Sequence, residues 1–221
     1  MIFMEHLQKA YRVKGKRRPV LDDVTLDIPE GAFMILCGKS GSGKTTLLSV
    51  MGLLEPYDGG IYTLDGIDTA RLSAKERTDL RREKIGFVFQ SYQLIPTLTA
   101  FENVEVPLGF DGVPKEERRA RVEEALTAVG LEERIHQRVT ELSGGEQQRV
   151  AIARAIIRQP RVILADEPTG NLDRVTAEEI MKLLQSLHRT VVMVTHDESL
   201  LTYATMTMRL TDKRAAIRSP V

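Results

Sequence analysis

The stretch Phe33–Leu54, FMILCGKSGSGKTTLLSVMGLL, decides the fold of this chain. It opens with a short continuous apolar run, which is typical of a strand buried on both faces. A glycine-rich segment follows. Beyond it, Leu47, Leu48, Met51 and Leu54 recur at the spacing of one helix face. A strand, a glycine loop and an amphipathic helix in this order predict the first unit of an α/β fold.

The glycine-rich segment has the spacing of a phosphate-binding loop, with spaced glycines followed by lysine and threonine. Glycines let the backbone wrap so closely that successive N–H groups point at phosphate oxygens, and the following helix directs its positive end at the same anion. Lys44 would add a positive charge at the β- and γ-phosphates, and the Thr45 hydroxyl would ligate Mg²⁺. The candidate nucleotide-binding residues of this segment are Gly38, Lys39, Ser40, Gly41, Ser42, Gly43, Lys44, Thr45 and Thr46.

Two adjacent carboxylates, Asp166 and Glu167, follow a second apolar run, Val162–Ala165. Ligands of open α/β sheets bind at the carboxyl ends of the strands. In that position Asp166 would hold the metal through water, and Glu167 would orient and polarise the water that attacks the γ-phosphate. With the phosphate loop upstream, this pair predicts hydrolysis of a nucleoside triphosphate, with Glu167 and Lys44 as candidate catalytic residues.

Further elements extend the α/β pattern. Strand candidates occur at Ile85–Phe89 and Val191–Val194, and Thr176 with Glu179 predicts a capping box at the start of a helix. The chain between about residues 91 and 160 has a different character. It contains a charged helix at 115–129 with Gly130 at its end, and a second helix at about 145–158 that Pro160 stops.

The composition excludes several classes of protein. The 221 residues include 31 basic and 31 acidic side chains, so no global charge attracts the chain to nucleic acid or to an anionic membrane. A single cysteine excludes an internal disulfide framework. We expect no signal peptide, and no apolar run approaches the roughly 20 residues that span a bilayer. Any contact with a membrane is therefore expected through a partner.

The segment Leu142–Arg149, LSGGEQQR, distinguishes among the kinases, GTPases, helicases and other enzymes that carry a phosphate loop. It closely resembles the signature motif of ABC ATPases. Its glycines open a helix, whose N-terminus is a second anion site. The resemblance implies that Ser143, Gly144 and Gly145 bind the γ-phosphate of an ATP held by the other subunit of a dimer.

Other positions follow the order of the same family. Tyr11 resembles the aromatic residue that stacks on adenine, and Gln90 resembles the glutamine that contacts Mg²⁺ and senses the membrane subunit. The segment Asn171–Asp173 resembles the loop that meets the partner subunit, although Asp173 equally suits a helix cap. His196 resembles the switch histidine that contacts the γ-phosphate, which makes it a candidate catalytic residue. The implied metal ligands are Thr45, Gln90 and Asp166.

The resemblance covers nearly the whole chain. Around Gln90 the sequence resembles the branch of the family that contains lipoprotein-releasing and macrolide-efflux ATPases. It implies an α/β fold with a P-loop NTPase core, a mixed and mainly parallel sheet, an N-terminal antiparallel β subdomain and an inserted α-helical subdomain. The single nucleotide-binding domain would divide into an ATP-binding core at 1–90 and 161–221 and a helical subdomain at 91–160. ATP and Mg²⁺ are the implied ligands.

The implied assembly is a homodimer of the ATPase beneath transmembrane permease subunits, peripheral to the cytoplasmic side of the inner membrane. Its implied role is export, lipoprotein release or mechanotransmission. Two departures stand out: Lys39 replaces a frequent proline, and Asp212–Arg214 replaces the expected Asp-Gly turn of a closing hairpin.

The same family contains ATPases with roles other than transport. ATPases of DNA repair carry long coiled coils and translation-type members carry two ATPase domains, neither of which occurs here. A regulatory ATPase paired with a non-transporting membrane protein, as in cell-division systems, stays open. The sequence does not specify a cargo.

Overall fold

The structure, a computed structural model, describes residues 1–39, 41–211 and 214–218, the last five by their backbone alone. Ser40, one of the proposed phosphate-loop residues, therefore lies outside the described residues, as do Asp212 and Lys213 of the unusual closing turn. The chain divides into two compact units, Met1–Arg82 with His188–Val221, and Glu83–Leu187. The division into subdomains at 90 and 160 stays a prediction.

The elements of regular structure have the following bounds. The strands are β1 (Ile2–Val13), β2 (Lys16–Ile28), β3 (Phe33–Cys37), β4 (Gly59–Leu64), β5 (Ile67–Asp68), β6 (Ile85–Phe89), β7 (Val162–Asp166), β8 (Thr190–Val194), β9 (Met206–Thr211) and β10 (Arg214–Arg218). The α-helices are α1 (Lys44–Met51), α2 (Ala74–Lys84), α3 (Ala100–Phe110), α4 (Lys115–Ala128), α5 (Gly144–Ile156) and α6 (Arg174–Ser186). Short 3₁₀ segments occupy Thr69–Arg71, Val139–Glu141 and Glu198–Tyr203.

The first unit contains an antiparallel sheet in the order β2, β1, β4, β5. Alternate residues of β1 and β4 face one side, and Ile2, Met4, Tyr62 and Leu64 are almost fully buried there. This period-two burial is what the pleat of a half-covered sheet produces.

The same unit also holds the strand that leads into the phosphate loop. Strand β3 pairs in parallel with β8 and β9, and β9 pairs with β10 in the antiparallel sense. Every residue of β3 is buried, including Cys37. The pairing of β9 with β10 is present, while the unusual turn sequence between them lies outside the described residues.

The second unit combines the parallel pair β6 and β7 with helices α3 to α6. A Cβ at Gly86 in β6 would lie 2.5 Å from the carbonyl oxygen of Ala155, so glycine lets α5 pack directly on the strand. Helix α4 ends as predicted, because Gly130 adopts a φ of 72° and its N–H donates to Thr127. The antiparallel sheet, the parallel strands and the helices confirm the predicted α/β fold class.

The predicted capping box at Thr176 and Glu179 is wrong. Helix α6 begins three residues earlier, because the Asp173 carboxylate accepts hydrogen bonds from the N–H groups of Val175 and Thr176. A carboxylate satisfies the free N–H groups of the first turn and interacts favourably with the helix dipole. Helices α2 and α3 were not predicted, although α3 carries a full capping box between Thr99 and Glu102.

Candidate functional site

The phosphate loop leaves β3 through backbone conformations that require glycine. Gly38 has a φ of 153°, and a Cβ there would lie 2.6 Å from the carbonyl oxygen of Leu210 in β9. Gly43, which precedes α1, has a φ of 103°, and a Cβ there would meet the carbonyl oxygen of Val20 at 2.8 Å. Both positions exclude larger residues, and together they turn the chain from the end of β3 into the start of α1.

Polar groups line this turn. The Lys44 ammonium is almost buried and donates to the carbonyl oxygens of Gly38 and Lys39, at 2.8 and 3.0 Å. Ser42 Oγ is buried and has no hydrogen-bond partner among the described residues. Lys39 itself is exposed. A buried hydroxyl without a partner, an ammonium group and the free N–H groups of a helix N-terminus form a donor set that fits a polyphosphate.

Tyr11 lies beside the helix that follows the loop. Its hydroxyl donates to Glu55 and lies 3.5 Å from Thr46 Oγ1. The ammonium nitrogen of Lys9 is 5.1 Å from the centre of the Tyr11 ring. Partial burial and the neighbouring Glu55 carboxylate raise the pKa of Tyr11 above its ordinary value. The structure thus brings two of the proposed nucleotide-binding residues, Tyr11 and Thr46, into contact.

His196 follows β8 at the same sheet edge as the loop. Leu36 and Val194 are partners in the parallel register of β3 and β8, and the N–H of Thr195 donates to the carbonyl oxygen of Leu36. Gly38 and His196 therefore each lie two residues beyond the same point of neighbouring strands. His196 is exposed.

The second unit aligns Gln90 with the carboxylate pair. Phe89 and Asp166, the last residues of β6 and β7, are partners in the parallel register, so Gln90 and Glu167 are the first residues after the two strands. Glu167 has a φ of 48°, a left-handed conformation that few residues other than glycine adopt. Such a conformation is often held in place at functional sites.

A reciprocal amide pair fixes the glutamine. Gln90 Nε2 donates to Asn171 Oδ1, and Asn171 Nδ2 donates to the carbonyl oxygen of Gln90, both at 3.1 Å. A Cβ at Gly170 would lie 2.7 Å from Gln90 Nε2, so glycine leaves the space that the amide occupies. Sequence reasoning identified both segments but missed this contact, because the two residues are 81 positions apart.

The signature segment forms the N-terminus of α5. Ser143 is the N-cap, and it forms a capping box in which Glu146 accepts from both the N–H and the hydroxyl of Ser143 at 2.8 Å. These hydrogen bonds, with a contribution from Arg134, lower the pKa of Glu146 below its ordinary value. The capping box thus stabilises the first turn of α5, which begins with Gly144 and Gly145.

Asp173 caps α6, and its hydrogen bonds from Thr176 lower the pKa of the carboxyl group. The interpretation of Asp173 as a helix cap is confirmed, while its role toward a nucleotide stays a prediction. The roles of the other named site residues, toward ATP or Mg²⁺, likewise stay predictions. Among the described residues no cluster of three or more His, Cys, Asp or Glu side chains forms a preassembled metal site.

Comparison with known proteins supplies the family. The model of the ABC transporter family matches residues 21–170. The ABC transporter ATP-binding protein YvrO of Bacillus subtilis (strain 168) is 44% identical over 215 residues, which cover 96% of this chain and 94% of the relative. The macrolide export ATP-binding/permease protein MacB of Brucella melitensis biotype 1 is 49% identical over 199 residues, which cover 89% of this chain but 31% of the relative.

Solved structures agree with this assignment over the full length. The dimeric structure of MJ0796, described as a bacterial ABC transporter cassette, superposes with a TM-score of 0.90 at 43% identity and covers 99% of this chain and 98% of that one. The post-hydrolysis state of the same cassette, bound to ADP and Pi, gives a TM-score of 0.88 at 42% identity, with the same coverage. The chain therefore belongs to the ABC transporter family, as one of its ATP-binding, ATP-hydrolysing cassettes.

Proposed function

We propose that two copies of this chain form a head-to-tail dimer that binds ATP at its interface and drives a transmembrane permease by closing and reopening. The observation that carries the proposal is that one chain contains two separate helix N-termini flanked by glycine, at α1 and at α5, and a helix N-terminus favours an anion. A head-to-tail dimer would pair the α1 end of one copy with the α5 end of the other. The MJ0796 cassette is described as dimeric in both of its structures, which supports the formation of a dimer.

The residues of the phosphate loop hold the nucleotide in this proposal. The loop N–H groups, the Ser42 hydroxyl and the Lys44 ammonium bind the phosphates, and Tyr11 stacks on the adenine. Thr45, Gln90 and Asp166 are the residues that would hold Mg²⁺, which would offset the negative charge of the phosphates. Hydroxyl, amide and carboxylate oxygens are the ligands that Mg²⁺ prefers.

Hydrolysis depends on Glu167 and His196. Glu167 polarises the water that attacks the γ-phosphorus, and ADP is the leaving group. His196 donates a hydrogen bond to a γ-phosphate oxygen. Ser143, Gly144 and Gly145 of a second copy contact the same γ-phosphate, so only the ATP-bound state completes both halves of the site. Hydrolysis removes that contact and the dimer opens.

The membrane partner is proposed to bind the segment from Gln90 to about Val106. Two apolar side chains in and near this segment are exposed, Ile95 by 42% and Phe110 by 81%, and a bound membrane subunit would remove them from water. Among the described residues no helix is both long and apolar enough to cross a bilayer. The name of the MacB relative combines an ATP-binding and a permease part. We propose a peripheral position on the cytoplasmic side of the inner membrane.

The central experiment uses the Glu167→Gln variant. It would bind ATP without cleaving it, so saturating Mg-ATP should convert the chain to a dimer in size-exclusion chromatography with light scattering. Glu123→Gln, on the exposed face of α4, is the control and should hydrolyse ATP as the natural chain does. Lys44→Ala should abolish ATP binding. A Glu167→Gln chain that stays monomeric with saturating Mg-ATP would contradict the dimer mechanism.

The role of the permease needs a second experiment. We favour export, lipoprotein release or mechanotransmission, and the relation to macrolide exporters supports this. A regulatory ATPase bound to a non-transporting membrane protein is the alternative outcome. Co-purification of the membrane subunit followed by ATP-dependent transport in vesicles separates the two, because a regulatory partner would stimulate hydrolysis without moving any cargo.

A further inference from the structure

The loop after Gln90 contains two adjacent residues in the left-handed region. Tyr92 has a φ of 59° and Gln93 a φ of 52°. Residues other than glycine adopt this conformation rarely, and it persists only where the surrounding structure holds it. Since neither residue is glycine, contacts of this loop with the rest of the protein must stabilise the left-handed conformation.

One side chain binds the two carbonyl groups of this strained pair. Arg154 donates from Nη2 to the carbonyl oxygen of Tyr92 at 2.8 Å and from Nη1 to that of Gln93 at 2.6 Å. Arg154 has no carboxylate partner among the residues that the structure describes, and burial lowers the pKa of its guanidinium. Because a planar guanidinium offers two parallel N–H donors, it fixes both carbonyl groups at once.

The loop that contains Tyr92 also contacts the N-terminal end of α5, the helix that carries Arg154. Arg154 lies near the C-terminus of α5, whereas Gly144 is its first residue, about 15 Å away along the helix axis. A Cβ at Gly144 would lie 2.9 Å from the hydroxyl oxygen of Tyr92, so the Tyr92 ring rests against the signature glycine. Tyr92 is therefore attached to α5 through its backbone at one end and through its side chain at the other.

We infer that Arg154 is a positioning residue that locks the Gln90–Gln93 loop to the signature helix, so that Gln90 and the Ser143–Gly144 helix end move as one body. Asn171 holds the Gln90 amide from one side, and Arg154 fixes the residues that follow it. A displacement of the signature helix is thereby transmitted to Gln90. This inference rests on the proposed function of Gln90 and of the signature segment, and it adds the connection between them.

The first test compares Arg154, near the C-terminal end of α5, with Arg158, which follows that helix. Arg154→Met removes the guanidinium and keeps an unbranched, apolar side-chain stem. Arg158→Met is the matched control, because Arg158 also binds a backbone carbonyl, that of Pro107, together with Asp111. Hydrogen exchange is measured by mass spectrometry on peptides that contain residues 91–95. We expect faster exchange of these amides in Arg154→Met alone, and unchanged exchange there would overturn the inference.

The second test separates nucleotide binding from turnover. Arg154→Met should lower kcat about tenfold, which corresponds to about 1.4 kcal/mol, while the affinity of the monomer for ATP changes less than about twofold. Affinity is expected to persist because the phosphate loop, Gly38–Thr45, does not include Arg154. Equal kcat in the natural chain and in Arg154→Met would overturn the inference.

The third test asks whether Arg154 acts through Gln90. In a Gln90→Ala background the further substitution Arg154→Met should change kcat less than about twofold, because residues that act in one connection are not additive. A merely structural role of Arg154 would lower kcat about tenfold in both backgrounds, and that result would overturn the inference. Arg154→Lys should give an intermediate loss of kcat, because one ammonium group cannot hold both carbonyls in the same geometry.

The outcomes also distinguish this inference from the proposed function. The proposed function fails if the natural chain does not hydrolyse ATP and the Glu167→Gln variant does not dimerise. In that case the hydrogen-exchange experiment still decides whether Arg154 holds the loop. If the natural chain and Glu167→Gln behave as proposed, but Arg154→Met has the hydrogen exchange and kcat of the natural chain, only the inference fails. Should Arg154→Met not fold, Arg154→Lys replaces it in all three tests, and values like those of the natural chain would overturn the inference.

Discussion

Gly145 lies where α5 approaches α6, and adding one methyl group there is a sharp test of the packing. A Cβ at Gly145 would lie 2.5 Å from Thr176 Cγ2, well inside the roughly 3.5–4.0 Å of normal carbon contacts. The Thr176 methyl group cannot rotate away freely, because the Thr176 hydroxyl donates to the Asp173 carboxylate at 2.6 Å. Gly145→Ala must therefore displace the helices or break this bond at the cap of α6.

The magnitude follows from two opposing terms. Inserting a methyl group into a filled space costs about 1–3 kcal/mol. Alanine is more favourable than glycine within a helix by about 1 kcal/mol. We expect Gly145→Ala to lower the free energy of unfolding by up to about 2 kcal/mol, the difference between these two terms. Thr176→Ser removes only the obstructing methyl group and keeps the hydroxyl, so in that background Gly145→Ala should be neutral or stabilising by up to about 1 kcal/mol.

Urea unfolding followed by circular dichroism measures all four proteins of this cycle, without nucleotide. Gly109→Ala in α3 is the control, because a Cβ there would meet only the end of the Arg118 side chain, at 3.2 Å. It should be neutral or stabilising in any background. If Gly145→Ala had the same sign in both backgrounds, the close approach of the two helices would not be the cause, and the reasoning would be refuted.

Three further predictions concern side chains whose surroundings are equally well defined. Tyr62→Phe leaves the buried carbonyl oxygen of Met51 without its donor, and should lower the free energy of unfolding by about 1–3 kcal/mol in urea titrations; a loss below about 0.5 kcal/mol would argue against that bond. The pKa of Glu146 is lowered in the fold by hydrogen bonds from Ser143, so the charged carboxylate contributes stability above its unfolded pKa, and this contribution is lost as pH falls through the folded pKa. The difference in stability between the natural chain and Glu146→Gln should therefore shrink from about pH 6 to about pH 3, and a difference independent of pH would contradict the assignment. Tyr11→Phe should keep the affinity for a fluorescent ATP analogue, whereas Tyr11→Ala should weaken it by about 1–3 kcal/mol, and equal affinities would exclude stacking.

Sequence reasoning succeeded where neighbouring residues determine the structure. The phosphate loop is a continuous run in which each glycine serves a backbone conformation of its own segment. The Ser143 start of α5 is local in the same way, since its partner Glu146 is three residues away. The choice of cap for α6 shows the limit: Asp173 and Thr176 are both good caps, and the sequence alone does not rank them.

The sequence by itself determined the family, the α/β fold class and the identity of the candidate site residues, because each signal is a short run of fixed spacing. Only the tertiary structure decided which segments meet. The Gln90–Asn171 pair and the contact of Arg154 with the Tyr92 loop join residues 81 and 62 positions apart. No periodicity or spacing records such contacts, because they depend on the register of β6 and β7 and on how α5 packs against them. The sequence shows Arg154 only as one arginine within a helix. The fold places the carbonyl groups of Tyr92 and Gln93 beside its guanidinium.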